Sequence, residues 1–155
     1  MTRRWLVAHD FSDQATMALD RAAEHLAALG GGTLLLVHVH APLTTGFGID
    51  LGATAAFQDV DKALDKEAHQ RLDGIAKGIL DRYPTLSLSA LVEVGRPADQ
   101  LVEIADREAV DLIILGSHGR RGLERFFLGS VAERVLRLAA RSVLIVKANP
   151  EAPRT

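Results

Sequence analysis

The strongest chemical signal in the chain is the segment Gly116-Ser117-His118-Gly119-Arg120-Arg121-Gly122-Leu123-Glu124-Arg125-Phe126-Phe127-Leu128-Gly129-Ser130. Glycine has no Cβ, so backbone N–H groups at Gly116, Gly119 and Gly129 can approach an anion closely. Gly129-Ser130 opens a helical pattern, and the first turn of a helix offers unpaired N–H groups at the positive end of the macrodipole. The Ser130 hydroxyl and the mobile cations Arg120, Arg121 and Arg125 complete what reads as a polyphosphate cradle. The same residues also fit a plainer structure. Ser130-Val131-Ala132-Glu133 matches a capping box, and Gly116 and Gly119 could simply turn the backbone. Spacing alone leaves both open.

Asp10 follows a short apolar run and precedes a helical period, which suits either a ligand contact or a turn residue. His38, His40 and His118 invite comparison with a metal trio. However, His38 and His40 stand two apart on a strand, and no carboxylate joins them at ligand spacing. No protein-ligated metal is expected; any Mg²⁺ would be held mainly by phosphate oxygens and water. There is no Walker G-x4-G-K-[ST] pattern, no G-x-G-x-x-G after the first strand and no clear carboxylate pair for catalytic metals. These gaps argue for binding over chemistry. An ATPase or phosphoryl or nucleotidyl transferase, with Asp10 or His118 assisting, stays as one alternative. A protein-interaction module with a structural glycine loop is the other.

The elements that position these residues alternate. Trp5–Ala8 reads as a first strand. Ser12 can N-cap a helix whose apolar positions Ala15, Ala18, Leu19, Ala22, Ala23 and Leu26 keep the helical period, and Gly30-Gly31-Gly32 stops it. Thr33–Val39 is a second strand, apolar almost throughout. Residues 41–54, with Pro42, Gly46, Gly48 and Gly52, read as a long loop. From Ala55 to Tyr83 a long helix is marked by Val60, Leu64, Ala68, Leu72, Ile75 and Ile79. Its mixed charges (Asp59, Asp61, Lys62, Asp65, Lys66, Glu67) suggest a solvated face. Leu86–Val94 alternates as a half-exposed strand near a sheet edge does. Gly95-Arg96-Pro97 turns into a helix with Leu101, Ile104 and Ala105 inside, and Asp111–Leu115 is a fourth strand. A last helix turns Val131, Val135, Leu138 and Ala139 to one side, Ser142–Lys147 is a fifth strand, and Phe126 and Phe127 read as loop anchors. Strands separated by helices imply an α/β, doubly wound, parallel sheet with helices on both faces. Such sheets bind ligands beyond the carboxyl ends of their strands.

Composition agrees. The 155 residues suit one domain spanning 1–155, and 48% hydrophobic with 25% charged residues describe a globular protein. A formal charge of -2 argues against a nucleic-acid partner. With no cysteine, disulfides and thiolate chemistry are excluded. The first apolar run is cut by His9-Asp10 well short of a signal peptide, and no stretch approaches a membrane span, so a cytoplasmic protein is expected.

The pattern Gly-x2-Gly-x9-Gly-Ser after an apolar strand resembles the universal stress protein family, in its ATP-binding branch. The likeness extends to Val7-Ala8-His9-Asp10-Phe11-Ser12, Leu36-Val37-His38-Val39, Val94-Gly95-Arg96-Pro97, Asp111–Gly119, Leu128-Gly129-Ser130-Val131 and Ser142–Lys147. It implies a five-stranded sheet of order 3-2-1-4-5 with ATP over the carboxyl ends of the first and fourth strands. Gly116, Gly119, Gly129, Ser130 and the Val131 N–H would hold the phosphates and ribose, with Arg120 beside them. Ala8 would lie at the site, Asp10 near the ribose or an attendant metal, and the Val39 backbone at the adenine edge. The resemblance further implies a stress-response sensor or switch that is a homodimer through strand 142–147. One departure is His9, where the family usually has a small apolar or hydroxyl residue.

Overall fold

The computed structural model describes residues 3–41, 55–118 and 128–147, and within the long helix it describes side chains from residue 59 onward. Residues 42–54 of the loop expected at 41–54, the contributions expected from Gly119, Arg120, Arg121 and Arg125, and the anchors Phe126 and Phe127 lie outside the described residues.

The elements in sequence order are β1 (Arg4–Ala8), α1 (Asp13–Ala28), β2 (Gly32–His40), α2 (Ala55–Arg82), β3 (Leu86–Val94), α3 (Pro97–Arg107), β4 (Leu112–Gly116), α4 (Ser130–Leu138) and β5 (Ser142–Val146). The five strands form one parallel sheet of order β3-β2-β1-β4-β5. The direction of travel across the sheet reverses after β3, so β1 and β4 are neighbours, paired at Trp5–Leu112, Leu6–Ile113 and Val7–Ile114. That reversal opens a crevice at their carboxyl ends, where doubly wound sheets take ligands.

Alternation along the strands divides the core in two. Val7, Leu34, Leu36 and Ile114 face one way, into α1 and α2. Leu6, Leu35, Val37, Ile113 and Leu115 face the other, into α3 and α4. With both faces covered, the central strands are apolar throughout, and Leu6, Val7, Ile113 and Ile114 are fully buried. β3 is an edge and alternates as expected, with Ser87 and Ser89 exposed. β5 is the other edge, and it leaves Leu144 40% exposed.

All six apolar positions read for the first helix are buried, as are Leu101, Ile104 and Ala105 of α3. Two other stripes need correction. In α2, Ala68, Leu72 and Ile79 are buried, but Val60 and Leu64 are exposed. In α4, Val135 and Ala132 form the inner face, while Leu138 is exposed. Val131 and Ala139 are partly buried against the same core.

The glycine stop after α1 has a specific cause. Gly30 and Gly31 take φ of 91° and 98°, and a Cβ on Gly31 would sit 2.6 Å from the Thr85 carbonyl oxygen. Gly74, in α2, has open space where its Cβ would be. The two positions should therefore respond oppositely to alanine. In urea denaturation Gly31→Ala is expected to cost about 2 kcal/mol or more, and Gly74→Ala to gain about 0.5–1 kcal/mol.

Candidate functional site

Two loops meet at the crevice. One follows β1, the other joins β4 to α4. The second is closed by Ser117, a residue buried to 4% exposure. Its N–H donates to the Val146 carbonyl at the end of β5 (2.9 Å), and its carbonyl accepts the Gly129 N–H (2.8 Å). One residue thus ties the start of α4 to the ends of β4 and β5, which brings Gly116 and Gly129-Ser130 to the same end of the sheet. The Ser117 hydroxyl lies 3.0 Å from His118 Nδ1.

Gly129, not Ser130, is the N-cap of α4: its backbone is extended (φ -61°, ψ 147°), and among the described residues no side chain caps the helix. The capping box drawn from Ser130 to Glu133 does not form. Ser130 is instead the first helical residue and is exposed. The first intrahelical bond runs from Glu133 N–H to the Gly129 carbonyl. The N–H groups of Ser130, Val131 and Ala132 therefore precede the helix ladder, and glycine at the cap position has no side-chain acceptor to take them up. This is the geometry an anion needs.

Gly116 has a different reason to be glycine. A Cβ there would lie 3.0 Å from the carbonyl carbon, the carbonyl oxygen and the Cβ of Gln14, in the first turn of α1. Its lack of a side chain serves close packing of helix on strand. Gly119 and Arg120 lie outside the described residues.

In the first loop, Asp10 Oδ1 accepts the Ser12 N–H (3.0 Å) and the Ser12 hydroxyl. Ser12 Oγ in turn accepts the Ala15 N–H (3.2 Å) as N-cap of α1. Asp10 thus orients the helix start while standing half-buried at the crevice. Ala8 ends β1 beside it. Val39 lies near the end of β2, with its side chain against the α3–α4 core, opposite in direction to His38 and His40.

His9 holds this turn. Phe11 has a left-handed backbone (φ 64°), strained for a residue with a Cβ. Its N–H donates to His9 Nδ1 at 3.1 Å. With Nδ1 an acceptor, the neutral ring carries its proton on Nε2, which lies 3.4 Å from Thr16 Oγ1; that hydroxyl donates its own proton to the Ser12 carbonyl. The His9 N–H donates to Val37 O (2.8 Å), and its carbonyl accepts from His38 Nδ1 (2.7 Å). Burial pushes the His9 imidazole down from 6.5 to about 4; Asp10 opposes this, and His38 and Arg71 add to it. Nothing in residue type or spacing marks His9 or Ser117 as organising residues. Ser117 acts through its backbone, and His9 is visible only as a departure from a pattern. Among the described residues no group of three His, Cys, Asp or Glu is arranged to hold a metal.

Fold and crevice define a doubly wound α/β protein whose last helix starts at the carboxyl ends of the strands. The family model for the universal stress protein family matches residues 1–147. Universal stress protein MJ0577 of Methanocaldococcus jannaschii is 30% identical, over 95% of this chain and 96% of its own. YxiE of Bacillus subtilis is 32% identical, over 95% and 100%. The MJ0577 structure superposes with a TM-score of 0.79 at 29% identity, covering 97% of this protein and 99% of that one. A universal stress protein in complex with cAMP gives 0.62 at 26% identity (94% and 97%). One from Archaeoglobus fulgidus in complex with dAMP gives 0.62 at 25% (95% and 98%). The chain belongs to the universal stress protein family.

The His9 network has a pH signature. Between pH about 6.5 and 4 the unfolded protein binds a proton that the folded protein excludes, so stability is full above 6.5 and falls as the pH drops. The loss from this residue approaches roughly 3 kcal/mol. Urea titrations from pH 7 to 4 should show that slope in the parent and a flatter one in His9→Asn, which keeps an acceptor near the Nδ1 position. Equal slopes would contradict the assignment.

Proposed function

We propose that this protein is a cytoplasmic ATP-binding stress-response protein, a sensor or switch whose output depends on the nucleotide it holds. The observation that carries this reading is the start of α4: three successive N–H groups outside the helix ladder, beside an exposed Ser130 hydroxyl, fixed at the crevice by Ser117. A phosphate group placed there meets both donors and the helix dipole. Relatives in complex with cAMP and with dAMP support an adenine nucleotide as the ligand.

In this reading Gly129, Ser130 and Val131 hold the phosphates and ribose together with Gly116, Gly119 and Arg120. Asp10 and Ala8 flank the ribose, and the Val39 backbone meets the base. Mg²⁺, when present, is carried in on the phosphates and supplies charge neutralisation. The residues fit such a ligand, since the donors are backbone and hydroxyl groups, and among the described residues no capping side group competes for them. Gly116 contributes by letting α1 pack close, so its replacement acts through packing as well as through the ligand. No nucleic-acid or membrane partner is proposed, and no helix among the described residues is long and apolar enough to cross a membrane. A homodimer is proposed through β5, where the edge strand and Leu144 are exposed.

Calorimetric titration with Mg-ATP, ADP, AMP and cAMP tests the reading. Binding is expected in the micromolar range. Gly129→Asp should abolish it by placing a carboxylate at the phosphate position, and Ser130→Ala should weaken it roughly tenfold, the loss of one hydrogen bond to a charged group. Full affinity in both variants would overturn the reading. Bound ATP that survives long incubation favours a switch, whereas phosphate release at an ordinary enzymatic rate, lost in Asp10→Ala, would favour a transferase or ATPase.

A further inference from the structure

One polar residue opens the apolar stripe of α1. Gln14 stands one turn before Ala18, on the helix face whose buried positions include Ala15, Ala18, Leu19 and Ala22. Side chains of a helix lean toward its start, and α1 starts just past the carboxyl end of β1. Gln14 therefore leans toward the crevice. It also packs on the end of β4, where a Cβ on Gly116 would meet its backbone and its own Cβ at 3.0 Å. Its amide oxygen, Oε1, is buried and has no hydrogen-bond partner among the described residues.

The other wall of the crevice carries a matching feature. His118 follows Ser117, whose carbonyl accepts the Gly129 N–H, and its Nδ1 lies 3.0 Å from the Ser117 hydroxyl. With that hydroxyl donating to Nδ1, the neutral ring carries its proton on Nε2. This nitrogen too is buried without a partner among the described residues. One wall thus holds an unpaired acceptor and the other an unpaired donor. Buried polar groups are nearly always paired, and the exceptions in a well-packed fold gather where function overrides packing.

We propose that Gln14 reads the sugar of the bound nucleotide, its amide oxygen accepting a ribose hydroxyl, so that the site selects ribonucleotides over deoxyribonucleotides. The inference rests on the nucleotide reading above. In that reading the base lies at Val39 on β2 and the phosphates at the start of α4. Since β1 and β4 stand between β2 and β5 in the sheet, the sugar spans the ends of β1 and β4. Gln14 packs on that end of β4. That α1 and α4 cover opposite faces of the sheet is no obstacle. The crevice lies between their starts, and a ligand in it meets both. The chemistry selects the hydroxyl. An amide oxygen needs a donor, whereas phosphate oxygens and the sugar ring oxygen only accept, and the adenine amino group goes with the base to β2. Asp10 Oδ1 is committed to the N–H and hydroxyl of Ser12, which leaves Gln14 to answer a sugar hydroxyl on this wall. The donor on His118 finds its acceptor in the oxygens of the adjoining sugar and phosphate.

Calorimetric titration of the parent, Gln14→Leu and Gln14→Met with the magnesium complexes of ATP, 2′-deoxyATP and 3′-deoxyATP tests the assignment. The parent should bind ATP roughly tenfold tighter than one of the two deoxy analogues. In the variants ATP should weaken to the level of that analogue, whose own affinity moves by less than about twofold. Without ligand the variants should unfold at or above the parent's temperature, because the unpaired oxygen is gone. Equal affinity of the parent for all three nucleotides overturns the inference and leaves the nucleotide reading standing, as does a preference for ATP that survives in both variants. An equal loss of all three in a variant that unfolds like the parent also overturns it, since Gln14 would then touch the base or the phosphates. No nucleotide bound by the parent overturns the nucleotide reading, and this inference with it.

Discussion

Ser117 is the constraint on which the site depends. It spends both backbone polar groups outside any helix, one on Val146 of β5 and one on Gly129 at the start of α4. Being buried, neither group can lose its partner without a cost of about 1–3 kcal/mol. The helix start is therefore held at the carboxyl ends of β4 and β5 whatever the connecting segment does. The three N–H groups of Ser130, Val131 and Ala132 owe their position to that fixing.

A second fixing works on the other side of the crevice. Here the ring and the backbone of one buried histidine do what backbone groups do at Ser117. The His9 ring accepts the N–H of a strained residue, and the His9 carbonyl accepts a hydrogen bond from His38 Nδ1. Through Phe11 the turn reaches Arg71 of α2, and through Asp10 and Ser12 it reaches the first turn of α1. Gln14 in that turn then packs on Gly116. The two loops are thus joined by close packing between the start of α1 and the end of β4, so a substitution at Gly116 disturbs both.

Much of this architecture is legible in the sequence because burial is periodic. Both faces of the sheet are covered, so strands such as Leu112–Gly116 are apolar runs, and α1 shows its six buried positions without interruption. Periodicity misleads at Val60, Leu64 and Leu138, which keep the helical spacing and yet are exposed. The site is legible to the extent that it depends on residue type. Gly129-Ser130 at a helix start stands out, but Ser130 fits a cap and a first-turn residue equally well, and only the extended Gly129 backbone separates them. Gly116 is visible as a glycine, though the neighbour that requires it, Gln14, is distant in sequence. Ser117 acts through backbone atoms that every residue has.

The most direct test of the central claim is an NMR titration that follows the amide resonances of Ser130, Val131 and Ala132 as Mg-ATP or AMP is added. If these N–H groups receive the phosphate, their protons move downfield together and saturate with the calorimetric affinity. If the nucleotide binds while these three resonances stay in place and shifts concentrate elsewhere, the helix start is not the anion site.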